Sequence, residues 1–242
     1  MMKLTPRNHR KSSDRKPAAL YICLLLTALL VIAACTSETY TPGEGRYSML
    51  RADFAEVRTD ASGALFCAIT DDGDSLLLSQ KRTVKWAVTS DSLYRALLYH
   101  NIAASGITTE AVSVVAVPTP TVKYRADVKT PKTDPVIFRS AWMSRGGRYV
   151  NLGLAIKTGH EDGEDKLQSI GMMCDEVTTD ADGSRHYFLT LLHAQNGVPE
   201  YYSANVFVSI AAYRLPVPPK RGDKITISIN TYDGTVEKTF LY

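Results

Sequence analysis

The stretch that decides the fold is KITISINTYDGTVEKTFLY, residues 224–242. Isoleucine alternates with polar residues up to the Asp233-Gly234 pair, and a second alternating run follows it. Alternation of this kind indicates a strand with one buried face, and a D-G pair between two such runs predicts a β-hairpin. With Asp233-Gly234 as a two-residue loop, Ile227 faces Phe240, which gives the hairpin one apolar face.

The rest of residues 135–242 repeats this pattern. About seven apolar runs follow one another, with turn signals rich in Gly, Asn and Asp roughly every 8–12 residues. This spacing predicts an antiparallel, seven-stranded β-sandwich of the Ig-like type. The run LPVPP, residues 215–219, suits a crossing between two sheets, because proline lacks the N–H that a strand ladder needs.

Residues 46–126 are predicted to form a smaller, separate β-domain. The acidic Asp71–Asp74 turn predicts a hairpin, Val84–Val88 predicts a short strand, and Val112–Ala126 predicts a last strand interrupted by prolines. About five strands in roughly 80 residues is the size of an OB-like barrel, although another small β-barrel fits the pattern equally well. The polar residues 127–134 are interpreted as a linker between the two domains, so the predicted chain is all-β.

The N-terminus has the layout of an export signal. Six basic residues and one acid precede the uncharged run Ala18–Ala34, and Ile32-Ala33-Ala34-Cys35 resembles the lipobox of bacterial lipoproteins. By that resemblance, residues 1–34 are a lipoprotein signal peptide, and Cys35 becomes the first residue and carries acyl chains such as palmitate. Residues 35–45 then form a flexible tether. The alternative is a signal-anchor helix with an incidental cysteine.

The net charge argues against nucleic acid as a binding partner. Without residues 1–34 the chain has 22 Lys and Arg against 24 Asp and Glu, a net charge of −2, which gives no electrostatic reason to bind nucleic acid. The expected location is the cell envelope, with the protein held at the outer membrane through its lipid anchor and facing either the periplasm or the cell surface.

Cys67 and Cys174 lie in apolar runs, where either a disulfide or two buried thiols would fit.

Three stretches carry a family resemblance. They are AWMSRGGRYVNLGLAIK at 141–157, RHYFLTLLHAQNGVPEYYSANVFVSI at 185–210 and GDKITISINTYDGTVEKTFLY at 222–242. With the lipobox and the OB-like first domain, they resemble the NigD-like lipoproteins, which are bacterial envelope lipoproteins with a C-terminal β-sandwich. The resemblance is close over residues 135–242 and loose over 46–126. It implies an association with bacteriocin operons and an immunity role, and it brings no catalytic or ligand-binding residue with it.

The sequence motifs predict no catalytic residue, no metal site and no cofactor. Acidic clusters occur near residues 71, 161 and 180, but counting from Asp180 puts Leu191 at the twelfth position, where an EF-hand has an acid. The histidines after residue 34 lack metal-ligand spacing, and there is no G-x-S-x-G or S-x-x-K motif. A carboxylate pair suited to glycoside cleavage stays open, because the separation of such a pair is spatial and not sequential.

Aromatic residues are the remaining candidates for ligand binding. Trp86 and Tyr99 in the first half, and Tyr201 and Tyr202 in the second, have rings of the kind that stack on sugars or peptides. Because Tyr201 and Tyr202 are adjacent in an alternating run, they point to opposite faces and at least one is expected to be exposed. Core packing is the alternative for each of them, and it is favoured for Trp142.

These features together predict a non-enzymatic, lipid-anchored envelope protein that acts by binding a protein, peptide or glycan. The resemblance implies bacteriocin immunity as the particular function. Two other classes stay open. A cell-wall or glycan-active enzyme, or its accessory subunit, would have a pocket with two convergent carboxylates. A scaffold for a larger lipoprotein complex would have a large apolar patch without a pocket.

Overall fold

Fourteen strands and two short 3-10 helices account for the regular structure of the part of the chain that the structure describes. This structure is a computed structural model, and it describes residues 49–101, 107–163 and 165–242, which belong to one compact unit that begins at Met49. The 3-10 helices are Arg125–Asp127 and Ala212–Arg214. None of the helices in these ranges could span a lipid bilayer.

The first sheet contains six strands in the order β5-β3-β2-β1-β4-β6. Their bounds are β1 Leu50–Thr59, β2 Leu65–Thr70, β3 Ser75–Arg82, β4 Leu93–Asn101, β5 Thr108–Thr109 and β6 Ala111–Ala116. Since β6 approaches β3 across the sheet, the sheet curls into a half-barrel. One face buries small or branched apolar side chains, which are Ala55, Val57, Ala68, Ala96, Leu98 and Val114.

The second half forms a sandwich of a large sheet, β14-β13-β11-β10-β7, and a small sheet, β12-β9-β8. The bounds are β7 Val122–Tyr124, β8 Ile137–Met143, β9 Tyr149–Thr158, β10 Ser169–Thr179, β11 Arg185–Ala194, β12 Tyr202–Ala211, β13 Lys224–Thr231 and β14 Gly234–Leu241. Alternate side chains of the two sheets fill one core. Its fully buried members include Leu152, Leu154, Met172, Tyr187, Leu189, Ile210, Ile225, Ile227 and Ile229.

The predicted fold class is confirmed, because an all-β chain places a half-barrel sheet before a β-sandwich. Two details of the predicted sandwich differ. It has eight strands among the described residues, since part of the stretch Val112–Ala126 forms β7 and pairs with β10. The pairs β7–β10 and β11–β13 are parallel, so the sandwich is not wholly antiparallel. The domain limits 46–126 and 135–242 stay a prediction.

Two local predictions were wrong. In the C-terminal hairpin, Ile227 pairs with Lys238 and not with Phe240. The loop residues are Tyr232 and Asp233, because Gly234 takes a φ of 113° and already begins β14. The register differs by two residues, so the apolar face is kept. Residues 84–88 form no strand; Val84, Trp86 and Ala87 pack on the first core from a loop.

The N-terminal predictions and the cysteines have different outcomes. The signal peptide 1–34, Cys35 and the tether 35–45 lie outside the described residues.

Cys67 and Cys174 are both free thiols, with Cys174 buried and Cys67 half-buried. Burial raises the pKa of each thiol, which lowers its reactivity.

Candidate functional site

Four polar side chains are buried where the first sheet packs on the small sandwich sheet. Glu56 in β1 and Arg95 in β4 come from the first sheet, and Asn151 in β9 and Ser209 in β12 come from the small sheet. Their neighbours along each strand alternate into the two apolar cores, so the pleat directs all four toward the junction between the sheets. Buried polar groups need hydrogen-bond partners, and these four find them across or along that junction.

Arg95 is the centre of this junction. Its Nη2 donates to Asp71 Oδ2 at 2.7 Å and to Asn151 Oδ1 at 3.0 Å, and its Nε donates to Ser209 Oγ at 3.1 Å. The guanidinium carbon lies 4.0 Å from the centre of the Tyr149 ring, a cation–π contact. Only 2% of the side chain is exposed, so its charge is balanced within the protein by Asp71. Its Nη1 is buried without a hydrogen-bond partner among the described residues.

Glu56 organises a second group beside Arg95. Its Oε1 accepts from Arg148 Nη2 at 2.7 Å and from Tyr149 Oη at 2.8 Å. The hydroxyls of Tyr149 and Tyr213 lie 3.3 Å apart. Burial, together with the hydrogen bonds to Tyr213 and Glu56, raises the pKa of Tyr149, so its phenol stays a proton donor at neutral pH. This group therefore holds the first sheet to β9 through a charge-assisted contact.

An aromatic trio fills the junction on the other side of Arg95. Phe54 contacts Trp142 and Phe207 edge to face, each with a centroid distance of 5.2 Å. The trio lies close to β9 at Gly153, where an added Cβ would come within 2.6 Å of Ser140 Oγ and 3.3 Å of the Phe207 ring. Glycine at this position thus lets the rings approach the sheet, and the trio joins strands of both sheets.

Two clefts flank Tyr149, which lines both of them. The acidic cleft has a volume of about 310 Å³ and is lined by Glu56, Ile69, Thr70, Asp71, Asp72, Gly73, Ser144, Arg145, Gly146, Arg148 and Tyr149. The aromatic cleft has a volume of about 280 Å³ and is lined by Trp86, Leu93, Tyr94, Arg95, Ala116, Val117, Thr119, Tyr149, Tyr213 and Arg214.

The acidic cleft is the place where an enzyme of the predicted alternative class would have its carboxylates. Glu56 and Asp71 do line the same cleft, but each is bonded to arginine, Glu56 to Arg148 and Asp71 to Arg95. These bonds occupy Glu56 Oε1 and Asp71 Oδ2, and Asn151 Nδ2 also donates to Asp71 Oδ2 at 2.8 Å. The visible role of both carboxylates is therefore to hold the junction together. Among the described residues there is no group of three His, Cys, Asp or Glu placed to hold a metal ion.

The aromatic cleft has the walls of a ligand site. Trp86 and Tyr94 contact each other edge to face at 5.8 Å, and the guanidinium of Arg214 lies 5.3 Å from the centre of the Tyr213 ring. Rings placed in this way offer apolar faces to a planar or apolar group. The exposed Arg214 at the rim adds donors for a carbonyl or carboxylate.

A third cleft, of about 330 Å³, lies on the large sandwich sheet beside β7 and β10. Its charged lining consists of Lys123 and Lys132, and Lys132 already donates to Asn196 Oδ1 at 3.1 Å. Neither lysine is buried. This cleft therefore has less of a built site than the aromatic cleft, despite its larger volume.

The structure separates the four aromatic residues that the sequence singled out. Trp86 lines the aromatic cleft from a loop. Tyr99 lies half-buried on β4 of the first sheet. Tyr201 and Tyr202 are at the start of β12 and are 65% and 60% exposed, with the Tyr201 hydroxyl bonded to Glu161. The four residues do not form one site, and ligand binding at any of them stays a prediction.

Sequence reasoning missed the polar residues of the junction. Arg95 stands in LYRALLYH, Asn151 in YVNLGLAI and Ser209 in VFVSIAA, each a lone polar residue inside an apolar strand. Such a residue is either at a sheet edge or buried with a partner. A polar residue inside an apolar strand was therefore the sequence signal for this junction. The hydrogen-bond partners come from distant parts of the chain, so the pattern alone could not show which polar residues bond to each other.

Together, the fold and the junction define a class of protein: a β-sandwich with an N-terminal half-barrel sheet held to it by a buried polar and aromatic contact. Residues 119–242 match the family model described as the NigD-like C-terminal beta sandwich domain. The chain therefore belongs to the NigD-like family. It has no match among curated proteins.

Solved structures with the same fold come from Bacteroides and Parabacteroides species. A NigD-like immunity protein from Bacteroides caccae is 22% identical, with a TM-score of 0.61 over 79% of this chain and 97% of that one. A protein described as toxin-related from Parabacteroides distasonis is 18% identical, with a TM-score of 0.61 over 80% and 93%. A protein described as a lipoprotein from Bacteroides fragilis is 13% identical, with a TM-score of 0.51 over 79% and 96%. At these identities the likeness is one of fold.

Proposed function

We propose that this protein is a lipid-anchored, non-enzymatic envelope protein that binds a peptide toxin and so confers immunity to it. The observation that carries the proposal is the aromatic cleft, where four rings and two arginines converge at the junction of the sheets. Support comes from the family and from similar structures described as an immunity protein and as toxin-related.

The lining of the cleft favours a peptide over other ligands. A peptide offers apolar side chains for the faces of Trp86 and Tyr213, and backbone carbonyls or a carboxylate for Arg214. A glycan also stacks on aromatic rings, but it has few groups with the charge that complements an arginine at the rim. The peptide is therefore the proposed ligand, and a glycan is the other outcome that the experiment can give.

The two tryptophans of the chain make a direct test, because Trp86 lines the cleft and Trp142 belongs to the aromatic trio. The Trp142→Phe variant leaves Trp86 as the only emitter, and the Trp86→Phe variant leaves Trp142. Titrating residues 36–242 with the small-peptide fraction of the organism's own culture medium should shift the emission of the first variant and not that of the second. A chito-oligosaccharide serves as the glycan probe.

Affinity should also depend on the cleft residues. Trp86→Ala is expected to weaken binding of the purified peptide about tenfold or more, as truncation of a central aromatic contact does at other interfaces. Arg214→Ala should weaken it as well, whereas Arg221→Ala, an exposed arginine outside the cleft, should not. A response to the oligosaccharide alone, or hydrolysis of a cell-wall glycan that Glu56→Gln abolishes, would overturn the proposal.

Lipid attachment at Cys35 has its own test. Cells grown with radiolabelled palmitate should label the wild-type protein, and Cys35→Ala should lose the label, because the thiol that takes the acyl chain is then absent. Cys23→Ala, which lies in the stretch predicted to be removed, is the matched control and should be labelled normally. An unlabelled wild-type protein, or label retained by Cys35→Ala, would contradict the lipid anchor.

A further inference from the structure

Strand β12 is the outer strand of the small sandwich sheet, because β9 pairs with it on one side and the sheet ends there. The strand is ten residues long and pairs with β9 in continuous register, from Tyr202 with Thr158 to Ala211 with Tyr149. The part next to Ala211 is buried, whereas Ser203, Asn205 and Phe207 are exposed. The first half of the strand therefore presents its free side to solvent.

One hydrogen bond tells which backbone groups of β12 point outward. The N–H of Ser209 donates to the carbonyl of Pro118 at 3.0 Å, so it points away from β9. Backbone groups in a strand alternate sides with a period of two, and the register with β9 has no bulge. The N–H and C=O groups of Phe207, Asn205 and Ser203 therefore point outward too. Residues 203–207 form the open edge of β12.

The continuation of the same edge is contacted by another segment of the chain. At Ser209 the edge is met by the segment that contains Pro118, which then leads into β7 on the large sheet. This contact ends before the open edge: no described residue forms a backbone hydrogen bond with the outward groups of 203–207. The first half of the edge therefore has no backbone partner in the described part of the protein.

The open edge also lacks the features that protect the other sheet edges of the described residues. β8 carries Arg139 and a bulge next to it, β14 carries Glu237 and Lys238, and β7 carries Lys123. β5 has two residues, and β6 is bulged against β4 and curls toward β3. Folded proteins use charges, bulges, short strands and covering to prevent strand addition. The open edge of β12 has no charged residue, no proline and no bulge.

We propose that the open edge of β12 is a docking strand, to which an extended peptide segment adds as an extra strand of the small sheet. The occupant must be an extended chain, because outward N–H and C=O groups with a two-residue repeat are matched only by another strand. Its side chain beside the exposed Phe207 is apolar, because the Phe207 ring packs against the Phe54 and Trp142 rings. The proposal rests on the proposed peptide ligand, but it uses a surface separate from the aromatic cleft.

Because outward and inward N–H groups alternate along β12, a proline at a chosen position can remove an outward donor alone. Asn205→Pro removes an outward N–H that β9 does not use, so the folded protein should keep its melting temperature within a few degrees, as proline is tolerated at such edge positions. Ala204→Pro removes an N–H that points toward β9 and should be clearly destabilised. Asn205→Ala removes the side chain and keeps the backbone donor, which makes it the matched control for binding.

The probe is a phage library of random octapeptides, selected on immobilised residues 36–242, which contain the whole compact unit. The selected peptide is then synthesised and its affinity measured by fluorescence anisotropy. We expect a peptide with an apolar residue beside Phe207, whose binding falls at least tenfold with Asn205→Pro and less than twofold with Asn205→Ala. Arg221→Ala, which removes an exposed arginine outside both surfaces, should leave this affinity unchanged.

Other outcomes decide against the docking strand. Failure to select any peptide, or equal binding to wild type and Asn205→Pro, overturns it. Peptides that lose binding with Trp86→Ala but not with Asn205→Pro would place the ligand in the aromatic cleft, which keeps the proposed function and removes this inference. A wild-type dimer that Asn205→Pro converts to a monomer in sedimentation would assign the edge to a second copy of the chain and would also overturn the proposal.

Discussion

Replacing Arg95 by leucine is expected to lower the free energy of unfolding by about 3–5 kcal/mol, the range found when one partner of a buried ion pair is removed. The side chain is almost completely buried and donates to Asp71, Asn151 and Ser209. Leucine would fill part of the space but would leave the Asp71 carboxylate without its counter-charge. Urea denaturation of residues 36–242, followed by tryptophan emission, measures the change.

A control variant at an exposed arginine and a double-mutant cycle separate the loss of this ion pair from the general effect of losing an arginine. Arg145 lies near Asp71 but has an exposed side chain, so Arg145→Leu should change stability by less than about 0.5 kcal/mol. A double-mutant cycle of Arg95→Leu with Asp71→Leu should give a coupling of about 1–3 kcal/mol, because the two groups are in contact. A loss below about 1 kcal/mol for Arg95→Leu would show that the junction does not depend on this ion pair.

The consequence for function follows from the position of Arg95. The residue lines the aromatic cleft and bonds to the small sheet, so the same contact that stabilises the junction also forms part of the wall of the cleft. A weakened junction should therefore reduce ligand affinity as well as stability. The Trp86 emission of the Trp142→Phe protein would show this directly.

The fold class could be predicted because alternation reports burial, and burial is local. In β13, isoleucine at every second position indicates one buried face whatever the neighbouring strand is. The same signal says nothing about partners, so the parallel pairing of β13 with β11 was not predictable from it. The hairpin register depended on the position of Gly234. This glycine has a positive φ but begins β14, so it lies after the two loop residues and is not one of them.

The site was less predictable than the fold for a related reason. Trp86 was singled out as an aromatic residue, and it does line a cleft, but the other walls come from Tyr94, Tyr149 and Tyr213, which are far apart in sequence. Residue type gave the candidates, whereas convergence depends on how the first sheet packs on the small sheet. That packing depends on long-range contacts such as Glu56 with Arg148, separated by 92 residues.

The second large effect concerns Asp223, at the turn that precedes β13. Its side chain is 3% exposed; Oδ1 accepts from the N–H of Arg185 at 2.9 Å and Oδ2 accepts from the N–H of Lys220 at 2.8 Å. The Arg185 guanidinium lies 3.2 Å from Oδ2. Asp223→Ala would leave these partly buried donors unpaired, and a loss of about 1–3 kcal/mol in the free energy of unfolding is expected. Asp182→Ala, in an exposed turn, is the control and should cost under about 1 kcal/mol.

The contribution of Asp223 should also depend on pH in one direction. Burial acts to raise the pKa of Asp223, but the Lys220 and Arg185 N–H groups and the Arg185 charge outweigh it, so the folded pKa is lowered. A lowered carboxyl pKa gives stability that is present above the unfolded pKa of about 3.9 and is lost as pH falls through the folded value. The difference in unfolding free energy between wild type and Asp223→Asn should therefore be constant from neutral pH to about pH 5 and shrink below about pH 4. Because the comparison cancels the titration of the other carboxyl groups, a difference that stays constant down to about pH 2 would mean that the charge of Asp223 does not stabilise this turn.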